Sequence, residues 1–137
     1  MMNELKCRSD SLFAFDAKEL PEVVNVLKAL ADPQRLRILD LLLQGDSCNC
    51  ELHDRLGLSA NLLSHHLKVL REAGLVTSRN DTVDARWVYY SIDPPAIDRW
   101  RDWLFGFLDA SRFQPRSVLC GPEGKLTAIP SGEFDNK

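Results

Sequence analysis

The sequence contains no run of eighteen apolar residues, so a membrane-spanning helix is not expected. Its first residues lack a basic stretch followed by an apolar one and carry Glu4, Asp10 and Asp16 instead, which speaks against a secretory leader. Cysteine is scarce, four residues in 137. Without an export signal, that favours reduced thiols in the cytoplasm over a disulfide framework. An excess of positive charge is also missing: 17 Lys and Arg stand against 20 Asp and Glu, a net charge of −3. Loose, sequence-blind binding to nucleic acid is therefore disfavoured. What remains is 45% apolar and 27% charged residues, the balance of one ordinary globular domain.

Periodicity predicts five helices and one hairpin. Leu20, Val23, Val24, Leu27 and Leu30 recur at helical spacing. Asp32-Pro33 restarts the chain as N-cap and first helical residue. Leu36, Leu39, Leu42 and Leu43 then form the stripe of a second helix, which Gly45 stops. A third helix runs from about Cys48 to Leu56 with Leu52 and Leu56 inward. Gly57-Leu58-Ser59 supplies a turn in which Gly57 can adopt positive φ and Ser59 can cap the next helix. That fourth helix places Leu63, Leu67 and Leu70 on one face and ends at Gly74. Two strand-like runs, residues 75–79 and 86–92, flank a polar connector and read as a β-wing. Asp93 and Pro94 begin a fifth helix with Ile97, Trp100, Leu104, Phe107 and Leu108 on its apolar face. The expected fold is mainly α with a β-hairpin wing (α+β), a winged helix-turn-helix over residues 18–112. An N-terminal arm of residues 1–17 precedes it and a Pro- and Gly-rich tail of residues 113–137 follows.

Two helices joined by a three-residue turn form a DNA-reading motif if the second enters the major groove. With the leucines inward, Asn61, Ser64, His65 and Lys68 point outward. Asn61 suits adenine, Ser64 and His65 suit base edges, and Lys68, Arg71 and Arg86 suit phosphates. His66 is better placed for packing or capping. The charged residues between Leu58 and Arg79 are Lys68, Arg71, Glu72 and Arg79, three positive against one negative. The result is a small basic face on an acidic body, which favours a specific site. The competing reading is a helical hairpin whose polar face is merely solvated.

The pair Cys48 and Cys50 opens the scaffold helix of this motif. Thiolates select soft ions, so a trigger built into a DNA reader is one reading; burial as small hydrophobes is the other. Each helical residue turns by about 100°, so two residues apart face nearly opposite ways. Either Cys48 lies in the cap region, or ion binding unwinds the first turn and shifts the helix that follows.

Leu27-Lys28-Ala29-Leu30-Ala31-Asp32-Pro33-Gln34-Arg35-Leu36-Arg37-Ile38-Leu39 resembles the opening signature of the ArsR/SmtB family of arsenic- and metal-sensing repressors. Residues 63–76 resemble its recognition helix and entry to the wing, and residues 86–90 its returning wing strand. The resemblance implies a homodimeric winged-helix repressor that leaves its operator when an ion binds. In the arsenic-sensing branch a Cys-x-Cys stands at this place, matched by Cys48 and Cys50, with a third cysteine where this chain has His53. As(III) or Sb(III) prefers three sulfurs, so the third would come from Cys7 or Cys120. The cadmium- and lead-sensing branch brings an N-terminal cysteine segment to the same helix, which keeps Cd(II), Pb(II) or Zn(II) as alternatives. The family's other ion site, on the fifth helix, needs histidine, and none follows His66.

Leu27, Trp100, Trp103, Leu104 and Phe107, with Phe105, offer more apolar surface on the first and fifth helices than one small domain uses. They are the expected interface of a two-fold dimer, unless they simply fill the core of one chain. Oxidation linking two cysteines is a second possible trigger. A thiol enzyme using Cys50 with His53 is disfavoured, because no oxyanion-cradling loop accompanies them. The partners expected are operator DNA and a second copy, with no membrane and no small organic substrate.

Overall fold

Asp32 starts the second helix as its sequence predicts. Its Oδ1 accepts from the backbone N–H of Gln34 at 2.8 Å and of Arg35 at 3.1 Å, and Pro33 follows at the first helical position. The computed structural model describes residues 16–115 and 121–124. In a unit spanning Phe15–Leu108, the elements are α1 (Leu20–Leu30), α2 (Pro33–Leu43), β1 (Ser47–Cys48), α3 (Asn49–Leu56), α4 (Ala60–Glu72), β2 (Val76–Asn80), β3 (Val88–Ile92) and α5 (Pro94–Phe107). Among the described residues beyond Leu108 are a 3-10 turn, Ala110–Arg112, capped by Asp109, and one helical turn, Gly121–Gly124.

The helix-turn-helix is built as its sequence requires. The Gly57 backbone takes φ +67 at the end of α3, and its N–H donates to the His53 carbonyl at 3.0 Å. Ser59 Oγ accepts from the Leu62 N–H at 3.2 Å and starts α4. Leu52, Leu56, Leu63, Leu67 and Leu70 are buried. With Ile38 and Leu42 of α2, Val26 of α1 and Leu75 they make the core. Burying each such side chain contributes about 1.5–3 kcal/mol.

The wing strands pair antiparallel in the register Val76↔Ile92 to Asn80↔Val88. Leu75 belongs to the core rather than to the strand, and residues 86 and 87 belong to the connector. β1 is a third strand that periodicity misses. It pairs antiparallel with β3 through Ser47↔Tyr90 and Cys48↔Tyr89, giving the sheet order β1-β3-β2. Two residues are too few to alternate visibly.

Three helical faces differ from expectation. On α1 the core takes Val23, Val26 and Ala29, while Leu20, Val24 and Leu27 are exposed. On α2 it takes Ile38, Leu39 and Leu42, leaving Leu36 and Leu43 about half exposed at 51% and 57%. On α5 it takes Trp100, and Phe107 and Leu108 stay outside. These helices carry apolar residues around more than one face, so periodicity cannot choose the one that docks. No helix among the described residues is long and apolar enough to cross a membrane.

Candidate nucleic-acid interface and thiol site

Because Leu63, Leu67 and Leu70 are seated in the core, the helical twist turns Asn61, Ser64, His65 and Lys68 to solvent, and all four are exposed. They form one polar strip along α4. Lys68 is only loosely engaged, 4.0 Å from Glu72 one turn on, and remains available to a phosphate. Arg71 Nη1 donates to Ser78 Oγ at 3.0 Å, which ties the end of α4 to the wing.

Arg86 is partly occupied. It binds the Asp84 carboxylate through Nη2 at 2.7 Å and Nε at 3.0 Å, an ion pair that raises the guanidinium pKa and lowers that of Asp84. A phosphate at Arg86 has to share it with Asp84. Sequence reasoning passed over Arg79, which lies over the Tyr89 ring at 4.6 Å on the wing; its place in the local basic excess was the available signal. His66 is buried, as its expected packing role requires. It meets Arg35, with 3.1 Å between Nη1 and Nδ1.

Of the two open positions for Cys48, the structure adopts the cap. Cys48 is extended at φ −80, ψ 163 and ends β1. Its Sγ accepts from the Glu51 N–H at 3.4 Å, so a thiol fills the place usually held by Ser, Thr or Asp. Its β3 partner, Tyr89, donates through its hydroxyl to Asp81 Oδ1 at 3.3 Å. Burial first, then the Asp81 charge, pushes the Tyr89 pKa up, and the phenol stays protonated. One residue thus joins the start of the scaffold helix to the wing.

Cys50 is exposed on the first turn of α3, and neither thiol is in a disulfide. It borders a cleft of about 510 Å³ between α3, α4 and β3, together with His53, Asp54, Ser64 and Tyr90. Asn49, on the same cleft, keeps its Oδ1 buried without a hydrogen-bond partner. Among the described residues no group of three or more Cys, His, Asp or Glu side chains is placed to hold a metal ion. Cys7 and Cys120 lie outside the described residues.

The aromatic residues of α5 divide between core and surface. Trp100 is buried in the single chain at 6% exposure, and Trp103 meets it edge to face at 6.4 Å between ring centres. Trp103 also stacks on Phe107 at 4.9 Å. Leu104 is half-buried. It lines an apolar groove of about 530 Å³ with Leu30, Trp100, Phe105 and Leu108, and Leu27 on α1 is exposed.

Residues 32–78 match the family profile described as bacterial regulatory protein, arsR family. The chain is 38% identical over 104 residues to the arsenic resistance transcriptional regulator ArsR1 of Pseudomonas putida, covering 72% of this chain and 78% of that one. It is 32% identical over 85 residues to the transcriptional repressor SdpR of Bacillus subtilis, covering 62% of this chain and 91% of the relative. Its backbone superposes on that of HlyU from Vibrio cholerae with a TM-score of 0.55 at 33% identity, over 68% of this chain and 98% of HlyU. These relatives are regulators of transcription. The chain belongs to the ArsR family of DNA-binding bacterial regulatory proteins.

Proposed function

We propose that the protein is a homodimeric transcriptional repressor released from its operator when a soft metalloid, As(III) or Sb(III), engages the thiolates of Cys48 and Cys50. The observation that carries this reading is the double attachment of Cys48, which caps α3 through Glu51 and pairs with Tyr89 of the wing. When the Cys48 sulfur displaces a hydroxide from the metalloid, which leaves as water with the thiol proton, the new bond draws the sulfur away from the Glu51 amide, and the extended Ser47–Cys48 segment must follow it. Both adjustments reach DNA-contacting elements, α4 through the Gly57–Ser59 turn and the wing through β3. Ligand binding then favours the DNA-incompetent arrangement by its differential affinity for the two states.

With two sulfurs bound, a trivalent metalloid still carries one hydroxide, and Cys7 from the N-terminal arm of residues 1–17 or Cys120 from the tail of residues 113–137 displaces it as water to supply the third sulfur. Asn61, Ser64 and His65 read bases, and Lys68, Arg71 and Arg86 hold phosphates. Leu27 on α1 and Trp103, Leu104 and Phe107 on α5 form the dimer contact, with Trp100 lining the groove beneath. Support for it comes from the apolar groove and the exposed leucines beside it.

The test is a titration of protein-bound operator duplex with arsenite, antimonite, cadmium, lead and zinc under reductant, with each cysteine changed in turn to serine. Release by arsenite and antimonite, abolished by Cys48→Ser and by Cys50→Ser, is expected. The silent member of the Cys7→Ser and Cys120→Ser pair identifies the bystander. Release by cadmium or lead alone moves the assignment to a four-ligand ion, and release only on oxidation moves it to a redox trigger.

A further inference from the structure

Arg35 stands at the junction of three helices and is used by nothing described so far. Its Nε donates to the Ala29 carbonyl at 2.6 Å and its Nη2 to the Lys28 carbonyl at 3.2 Å. Both carbonyls lie in the last turn of α1, where helical partners run out, and the Lys28 oxygen also accepts from the Ala31 N–H at 3.2 Å. Its Nη1 lies 3.1 Å from Nδ1 of His66 on α4. Guanidinium carries donors only and stays protonated at any working pH, so Nδ1 must accept and the proton of the neutral ring sits on Nε2. His66 is 5% exposed and immediately follows His65, which points to solvent on the DNA-reading strip. Where the His66 ring is seated therefore fixes the direction in which Ser64 and His65 leave the helix, about 100° per residue around its axis.

We propose that Arg35 and His66 are positioning residues for operator binding: Arg35 fastens the recognition helix to the end of α1 through a neutral imidazole at position 66, and a proton on that ring breaks the fastening. A protonated ring offers no lone pair at Nδ1 and sets a second cation 3.1 Å from Arg35. The charged groups acting on His66 are Arg35 and Asp32 at the start of α2 and His65 on its own helix. Burial is the largest influence and lowers its pKa; Asp32 opposes it, while Arg35 and His65 add to it. Operator affinity accordingly falls in acid. His65 is exposed on the same strip and is replaced in the test so that the profile reports on position 66.

The inference rests on α4 being the DNA-reading helix, so the test has one arm with DNA and one without. The DNA arm follows affinity from pH 8 to 5.5 for a duplex that the protein selects from a random pool, at constant ionic strength. His65→Gln is compared with His65→Gln/His66→Gln, and circular dichroism confirms folding at each pH. The expected result for His65→Gln is loss of about tenfold in affinity per pH unit for each protomer bound, below the point where His66 protonates. The double variant should hold its affinity flat, because the Gln side-chain carbonyl also accepts from Arg35 and takes up no proton. A flat profile for His65→Gln, or an equally steep one for the double variant, overturns the proposal. The second arm is a long-range proton–nitrogen correlation spectrum of the unmutated protein, which needs neither DNA nor a substitution. It should show His66 with its proton on Nε2 at neutral pH, and a proton on Nδ1 overturns the fastening even if the DNA reading stands.

Discussion

Gly57 is the residue on which the helix-turn-helix bends, and its φ of +67 is a conformation that L side chains rarely adopt. No atom lies within 4 Å of where a Cβ would stand, so the cost of Gly57→Ala is conformational and not steric. It should destabilise the protein by about 1 kcal/mol in urea unfolding, and Gly57→Asn by less. Asp32 gives a pH signature at the same scale. The Arg35 amide has the largest influence and lowers the pKa of its carboxyl; burial comes next and raises it, and the Gln34 amide with the Arg35 and His66 charges leaves it below the ordinary value of 3.8. A carboxyl held lower when folded binds fewer protons in the native state than in the unfolded one. Its contribution is present above the ordinary carboxylate value and is lost as pH falls through the folded one. Asp32→Asn should therefore flatten the acid limb of the stability curve, measured by thermal melts below pH 5.

Among the elements, α3 separates structure from response. Serine is a good N-cap, so Cys48→Ser should leave stability unchanged or higher by up to about 1 kcal/mol while removing the metalloid response. Cys48→Ala should lose both, and a Cys48→Ser protein that unfolds more easily would show that the thiol does not cap the helix. Leu52, fully buried on the inner face of the same helix, should cost about 2–5 kcal/mol when changed to alanine.

The same element shows what the sequence carries in the open. Capping residues, Gly57 and the leucines of α4 announce themselves because each satisfies a local rule of backbone geometry or helical period. The faces of α1 and α2 do not, because leucine surrounds both helices and only tertiary contact selects Val26 and Ile38 over Leu27 and Leu36. β1 is hidden for another reason: its two residues are strand only because β3 lies beside them. The polar strip on α4 was legible as a consequence of its buried leucines. The Arg35–His66 contact was not, since nothing local connects residues 31 positions apart.

At the scale of the molecule, the unabsorbed apolar surface on α1 and α5 accounts for the proposed dimer. Leu27 is exposed, so Leu27→Glu leaves the core of the single chain untouched. It should shift sedimentation toward the monomer and weaken operator binding by on the order of a hundredfold, as two half-sites cease to be held together. An unchanged sedimentation coefficient would move the interface elsewhere.

The proposed coupling between the thiols and α4 is most directly tested by amide hydrogen exchange, with and without arsenite, on the reduced protein free of DNA. Faster exchange at Glu51, whose N–H donates to the Cys48 sulfur, is predicted, together with faster exchange along the Ser47–Cys48 pairing with β3 and at the first turn of α4. Operator release by arsenite with protection unchanged at all three places would contradict the account.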